Sequence, residues 1–238
     1  MRDAVQQVAV EKRFYGYRRV QRELRQRGHW VNAKRVLRLM REDNLYFVCA
    51  RVALFRRRPT RGMGGGFSQT WRAVTRNLNE LWVADITYVR LQQEFVYVVV
   101  ILDAHSRRVI GWAVGRHLGA SLAVEALRMA LTERQPAPGM IHHSDRGIQY
   151  ACADYLTLLA ERGAQPSMSR VGNPYDNAKA ESFMKTLKEE QVRHHQWRDL
   201  DALRSDLSTF LQITYNYQRL HSALDYQTPA AFEQQFSF

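Results

Sequence analysis

Three carboxylates stand where an ordinary surface acid has no reason to be. Asp85 interrupts Leu81-Trp82-Val83-Ala84-Asp85-Ile86-Thr87-Tyr88-Val89, an otherwise almost unbroken apolar strand. Burying an unpaired aspartate there costs several kcal/mol, so the position calls for a positive partner, and a metal ion is the economical one. Asp145 closes a short strand that begins at Met140-Ile141, and Arg146-Gly147 breaks the pattern directly after it. A carboxylate at the carboxyl end of a strand faces a crevice. Glu181 lies in the first turn of a helix that Asp176 or Asn177 can cap and that continues through Glu190. Ala180, Phe183, Met184 and Leu187 form the buried stripe of that helix, and Glu181, Lys185 and Lys188 fall on a second face. One helix thus presents a carboxylate with two ammonium groups behind it. Such a set suits metal ions held next to a polyanion.

The spacing narrows the reading. Between Asp145 and Glu181 lie 35 residues, 146–180. A strand aspartate, a second aspartate and a glutamate at that spacing resemble the DDE catalytic core of retroviral integrases and bacterial transposases. Trp82-Val83-Ala84-Asp85-Ile86-Thr87, Leu102-Asp103 with Ser106-Arg107, and Gly111-Trp112 are similar to motifs of the insertion-sequence transposases typified by insertion sequence three, in the second-frame protein. The likeness continues in His143-Ser144-Asp145-Arg146-Gly147 with Gln149-Tyr150, Ser167-Met168-Ser169, Asp176-Asn177-Ala178 with Glu181-Ser182-Phe183, and Leu187-Lys188. It closes with Tyr215-Asn216, Arg219, His221-Ser222, Leu224 and Thr228-Pro229, so it runs from about Tyr15 to Phe232. Ala84 stands where a threonine is common in the family, and Ile148 and Ala151-Cys152 replace its usual Ser and Thr-Ser. None of these departures removes an acid.

The resemblance implies a DNA transposase in which Asp85, Asp145 and Glu181 are catalytic and metal-binding, Asp85 bridging two ions and the other acids holding one each. Two divalent ions about 4 Å apart activate a water or a 3′-hydroxyl and stabilise the leaving oxygen of an in-line attack on a phosphodiester. Oxygen ligands favour magnesium, with manganese as a substitute. No nucleotide cofactor and no covalent protein intermediate are expected. By the same resemblance the enzyme cuts one strand at an insertion-sequence end, the freed 3′-hydroxyl attacks beside the other end, and a circular intermediate later joins target DNA. Lys188, seven residues after the glutamate, is assigned by the resemblance to DNA-end binding. Lys185, Arg146 and Asn177 stand beside the acids as further DNA-binding candidates. The expected partners are the element's terminal repeats, target DNA, further copies of the chain on paired ends, and an upstream helix-turn-helix and leucine-zipper product joined by frameshift fusion. The chain itself shows no heptad repeat. The alternatives are a catalytically silent DNA-binding repressor or inhibitor of transposition, and an integrase or nuclease of another mobile element.

Charge agrees with a polyanion partner. The 238 residues carry 35 Lys and Arg against 23 Asp and Glu, a net charge of +12. The excess is confined to the amino end: residues 1–80 hold 19 basic and 6 acidic side chains, residues 81–238 hold 16 and 17. DNA explains this asymmetry better than a membrane, since no apolar run approaches the roughly 20 residues needed to span one. Met1-Arg2-Asp3 opens no signal peptide, and Cys49 with Cys152 makes no disulfide framework. The expected location is therefore cytoplasmic, nucleoid-associated when on DNA. Zinc is not expected, because only Cys49 and His29 stand near the place of an integrase-type His/Cys module. His142 and His143, flanking a strand, read as structural or as neighbours of the acids. Asp103 ends an apolar strand before Ala104-His105-Ser106 and reads as a turn residue.

Three segments organise the chain. Residues 1–55 read as a helical, helix-turn-helix-like DNA-binding module. Tyr17, Val20 and Leu24 bury one side of a first helix that Gly28 interrupts, and Asn32 caps a second, from Ala33 to Glu42. The second helix buries Val36, Leu39 and Met40 and leaves Lys34, Arg35, Arg38 and Arg41 for phosphate. A solvated basic helix would share this pattern, and DNA contact is the preferred reading. Residues 56–76 form a linker rich in Arg and Gly, in which Arg56, Arg57 and Arg58 can track a phosphate backbone. From residue 77 to 238 the order is three antiparallel strands (81–91, 94–103, 107–114), a helix (121–134), the Met140 strand, a helix (153–162), a strand (164–167), the Glu181 helix and a final helix (200–217). That order is expected of an α/β, ribonuclease H-like fold, a mixed five-stranded sheet with flanking helices.

Overall fold

The computed structural model describes residues 1–45, 75–169 and 177–236, in two compact units. The expected linker falls almost wholly outside the described residues, and Arg56, Arg57 and Arg58 lie there too. Thr75, at the end of that segment, is instead buried in the second unit, its hydroxyl and carbonyl oxygens 3.3 and 2.7 Å from Nδ1 of His105.

The first unit is a set of three helices, α1 (Arg2–Glu11), α2 (Tyr17–Gln26) and α3 (Ala33–Glu42). The sequence pattern predicts α2 and α3 but not α1, whose inward stripe is only Val5, Val8 and Ala9. Polar ties hold α1 in place: Arg2 pairs with Glu42, and Gln6 Nε2 donates to Asp43 Oδ2 at 2.9 Å. The turn between α2 and α3 is closed from both sides. Gly28, at φ +83°, donates its N–H to Arg25 O, and His29 N–H donates to Leu24 O, the paired bonds of a Schellman turn in which glycine adopts the left-handed region without strain. On the far side Asn32 Oδ1 accepts the Arg35 N–H at 2.8 Å and starts α3. Buried Gln21 ties the two by donating to Val31 O at 3.0 Å. Lys34, Arg35, Arg38 and Arg41 are all exposed on α3.

The second unit is built on a five-stranded sheet of order β3-β2-β1-β4-β5. Its strands are β1 (Leu81–Arg90), β2 (Phe95–Asp103), β3 (Val109–Gly115), β4 (Ile141–Ser144) and β5 (Gln165–Met168). The first three form the antiparallel meander, and β4 and β5 add in parallel beside β1. Alternation sorts side chains to two faces. Trp82, Ala84, Val99, Ile101 and Ile110 meet α4 (Ala120–Glu133) and α5 (Ala153–Glu161) on one. Val83, Val89, Val98 and Val100 meet α6 (Ala178–Glu190) and α7 (Leu200–Ser208) on the other. Gly111 has a packing reason: a Cβ there would stand 2.3 Å from Ala126 O and 2.8 Å from Ala130 Cβ, so only glycine lets α4 lie this close to β3.

The end of the chain departs from the expected single helix. After α7 the backbone continues as a π-helix over Thr209–Gln218. The wider i→i+5 turn aligns Phe210 and Leu211 with Tyr215 and Asn216, all four of them buried. Asn216 uses its whole amide on one residue, accepting the Val109 N–H and donating to Val109 O, each at 2.9 Å. Arg219 is buried against Glu190, with NH2 2.6 Å from Oε1. Thr228 caps α8 (Pro229–Glu233) by accepting the Ala231 N–H at 3.2 Å, with proline at the position that needs no donor. The closing motif Asn216, Arg219 and Thr228-Pro229 thus does structural work. No helix among the described residues is long and apolar enough to cross a membrane.

Candidate active site

The register of the sheet prepares the site. β4 pairs with β1 only at Leu81–Ile141, Trp82–His142 and Val83–His143. Two residues past the last pair come Asp85 and Asp145, at equivalent positions of parallel strands whose spacing in a sheet is about 4.8 Å. Because β4 stops at Ser144, β1 from Ala84 onward has no strand beside it on that edge among the described residues. The opening lies outside the carboxyl ends of the parallel strands, where open α/β sheets place ligands.

Asp85 is half-buried, and its Oδ1 accepts the Ile86 N–H at 2.8 Å. Burial first, and the charges of Asp145 and Glu181 after it, push its carboxyl from 3.8 up to about 6, against the pull of the Ile86 amide and of Lys188. Acids from a strand, a strand end and a helix therefore share one electrostatic neighbourhood with Lys188.

Asp145 is exposed, and its Oδ1 accepts the Gly147 N–H at 3.0 Å. A Cβ at 147 would lie 2.7 Å from Gln149 Oε1 and 3.1 Å from Asp145 Oδ1, so a larger residue there must displace one of these side-chain oxygens. Arg146 Nε donates to Ser169 O at 2.9 Å. Behind the loop, buried Tyr150 has a hydroxyl with no hydrogen-bond partner among the described residues. Burial, then Tyr155, Asp85 and Asp145, hold its phenol well above the ordinary range. His142 and His143 are structural: His142 Nε2 meets Tyr155 Oη at 2.9 Å, while His143 lies between Ser167 Oγ and Ser169 Oγ at 3.3 and 3.1 Å. Burial pushes His142 down to about 4, which keeps it neutral.

Of the two candidate caps, Asp176 lies outside the described residues, and Asn177 occupies the N-cap position of α6 without a side-chain cap bond. It is buried, and its Nδ2 donates to Ala84 O at 3.0 Å. A carbonyl on the open edge of β1 would otherwise lack a partner, so the amide pins the start of α6 one residue from Asp85. Glu181 is exposed in the first turn, where the helix dipole favours a carboxylate. Ala180, Phe183, Met184 and Leu187 are the buried stripe. Lys185 is exposed, and Lys188 Nζ lies 5.3 Å from the centroid of the Tyr88 ring. Lys179 turns away and donates to Ala104 O at 2.9 Å, its pKa lowered by burial.

Asp103 is the turn residue its context predicts. Its Oδ1 accepts from the His105 and Ser106 amides at 2.8 and 2.9 Å, and Oδ2 from the Asn79 amide at 2.7 Å. Among the described residues no three His, Cys, Asp or Glu side chains stand close enough to hold a metal ion together. Asp85, Asp145 and Glu181 are thus electrostatic neighbours without forming a compact ligand set. Residues 170–176, which lead into α6, lie outside the described residues. Tyr88 and Tyr150 were not singled out as candidates by the sequence reading. A tyrosine in or after a strand is ordinary, and only the fold places Tyr150 near Asp85 and Asp145 and Tyr88 under Lys188.

Models of known families match the chain in three places. An HTH-like domain covers residues 1–53, and two models described as integrase core domain cover residues 76–174 and 162–229. A 31 kDa protein of insertion element IS600 from Shigella sonnei is 37% identical over 93% of this chain and 82% of its own length. The transposase of insertion sequence element IS904 from Lactococcus lactis is 34% identical over 92% of this chain and 87% of its own. The transposase InsF of insertion sequence IS3A from Escherichia coli is 33% identical over 93% and 77%. Among solved structures, the intasome of simian T-cell lymphotropic virus in complex with a PP2A regulatory subunit contains a chain that matches with a TM-score of 0.53 at 19% identity, over 88% of this chain and 68% of that one. That likeness is one of fold.

Proposed function

The chain belongs to the insertion-sequence transposases built on an integrase core domain, and from that membership we propose that it cuts and joins DNA at insertion-sequence ends, with Asp85, Asp145 and Glu181 as its catalytic carboxylates. A core of this family makes it a polynucleotidyl transferase. The observation that supports the acid assignment is the rise of the Asp85 pKa to about 6, to which both other acids contribute. A cation between such groups relieves their repulsion, and their donor set is all oxygen, which fits magnesium or manganese. Bound ions, two in this proposal, would be held by these three side chains and would neutralise charge on the attacking and leaving oxygens.

The chain's own residues do the rest. Lys185 and Lys188, behind Glu181 on α6, attract the DNA backbone to the acids, and Arg146 frames the other side. Asn177 holds α6 against β1 and so sets where Glu181 stands. Lys34, Arg35, Arg38 and Arg41 on α3 contact the duplex, and Arg56, Arg57 and Arg58 extend that contact along the backbone. The partners are the terminal repeats and target DNA, with further copies of the chain on paired ends and an upstream helix-turn-helix and leucine-zipper product as fusion partner. The place of action is the cytoplasm, on nucleoid DNA.

The test is magnesium-dependent strand cleavage and joining on DNA carrying the element's ends, with Asp85→Asn, Asp145→Asn and Glu181→Gln beside the wild type. Loss of both reactions in all three variants with DNA binding retained is the expected result. Chemistry that survives any one of these substitutions removes that acid from the assignment.

A further inference from the structure

We propose that Tyr88 and Phe95 form a stacking platform for unpaired DNA bases next to the reacting phosphate. The proposal rests on the catalytic reading of the acids and adds a contact to the same site. Tyr88 and Phe95 are 61% and 51% exposed. Their rings meet edge to face, with centroids 5.9 Å apart at 73°. The β1–β2 register explains the pairing: Tyr88 lies opposite Tyr97 and Arg90 opposite Phe95, so Tyr88 and Phe95 are diagonal neighbours on one face. Beneath them Tyr97 is partly buried against the core. Two large rings are thus left in solvent, Tyr88 on the strand that carries Asp85 and Phe95 on its partner β2.

Their surroundings select the occupant. Lys188 Nζ sits 5.3 Å from the Tyr88 centroid, and the Arg90 guanidinium 5.5 Å from that of Phe95. Neither cation forms an ion pair among the described residues, whereas Arg116 nearby is neutralised by Glu94 at 3.1 Å. Both cations lie over the rings, so a base that stacks there displaces them from the ring faces and brings its own phosphate for them to meet. A second copy of the chain would set Lys188 and Arg90 against their own equivalents. Paired bases keep their faces inside the duplex, so the platform accepts only unpaired ones. Tyr88 stands three residues along β1 from Asp85, so its ring leaves the other face of the strand, and Lys188 joins the two: its Nζ lies 5.3 Å from the Tyr88 centroid and its charge acts on the Asp85 carboxyl.

The experiment uses the full chain and element-end DNA, either fully paired or with its three nucleotides flanking the cleavage position unpaired, each in turn replaced by 5-iodouracil. Irradiation should cross-link one of these positions to Tyr88, mapped by mass spectrometry. Tyr88→Ala or Phe95→Ala should weaken binding of the unpaired-flank DNA about tenfold while leaving fully paired DNA within about twofold. Tyr88→Phe should retain the affinity, and unchanged melting curves confirm that the variants fold. Equal loss on both DNAs, or cross-links that map away from β1 and β2, would overturn the proposal. So would sedimentation showing that Tyr88→Ala breaks a dimer, since a second copy would then cover the rings. None of these readouts requires catalysis. An Asp85→Asn protein that still cleaves refutes the acid assignment, and cross-linking to Tyr88 in that same protein leaves the platform standing.

Discussion

Asp85→Asn should make the free protein more stable at neutral pH while abolishing its chemistry. The carboxyl ionises near 3.8 in an unfolded chain and at about 6 in the folded one. At about 1.4 kcal/mol per pH unit, that difference costs about 3 kcal/mol of folding stability at pH 7. Proton counts give the sign. Between the two values the folded state keeps a proton that the unfolded state has released, so stability falls as pH rises. The penalty is complete above the folded value and absent below the unfolded one. An asparagine keeps an oxygen for the Ile86 N–H and carries no charge at any pH. Its gain is bounded by about 3 kcal/mol, because the amide also loses hydration on burial, and in a domain of this size the bound corresponds to about 6–12 °C in Tm.

The assay is denaturant unfolding without divalent ions, followed by the fluorescence of Trp82, Trp112 and Trp197, from about pH 4 to about pH 8. The variant should come within about 0.5 kcal/mol of the wild type at the acid end and exceed it at the neutral end. Added magnesium should then raise the stability of the wild type and leave Asp85→Asn nearly unmoved, because a ligand stabilises only the state that binds it. Equal stabilities at neutral pH, or a gain as large in acid as at neutrality, would refute the claim that Asp85 is held in a desolvated, like-charged site.

Three further outcomes follow from the contacts. Asn216→Ala should cost about 2–4 kcal/mol in urea unfolding of the second unit, because both backbone groups of Val109 lose their buried partner. Gly147→Ala should lower strand cleavage by about tenfold or more with DNA affinity unchanged, since the new Cβ displaces Gln149 or the Asp145 carboxylate; wild-type rates would show that the loop yields freely. Arg35→Ala should reduce the slope of log affinity against log salt by about 0.9 if its guanidinium meets one phosphate, and an unchanged slope would remove it from the interface.

Local chemistry was legible in the sequence, and long-range partners were not. The helix from Ala120 to Glu133 buries the six residues its periodicity selects, because one face meets a sheet and the other meets water. Asn32 and the Oδ1 of Asp103 were readable because the amides they accept lie within three residues, whereas the Asn79 amide on Asp103 Oδ2 comes from 24 residues away. Asn177, one of two candidate caps, bonds instead to Ala84, a partner 93 residues away that no local pattern announces. The π-helical stretch at Thr209–Gln218 hides in a pattern that suits an α-helix equally well, and the bond that rewards it joins residues 107 apart. Asp85 stood out as a charge among apolar neighbours. Tyr150 did not, since nothing local marks a hydroxyl that folding will leave without a partner.

The three acids are held by constraints of unequal stiffness. Asp85 is set by a strand paired along its whole length with β2, and Asp145 by a loop whose Gly147 amide binds its carboxylate. Glu181 depends on the seat of α6, which is fastened near its start by one amide bond to Ala84 and along its length by the apolar stripe. Glu181 therefore has the most freedom to approach or retreat. Lys185 and Lys188 ride on the same helix, so the Asn177–Ala84 bond and the apolar stripe set the acid and both ammonium groups together, and Asn177→Ala should disturb all three at once.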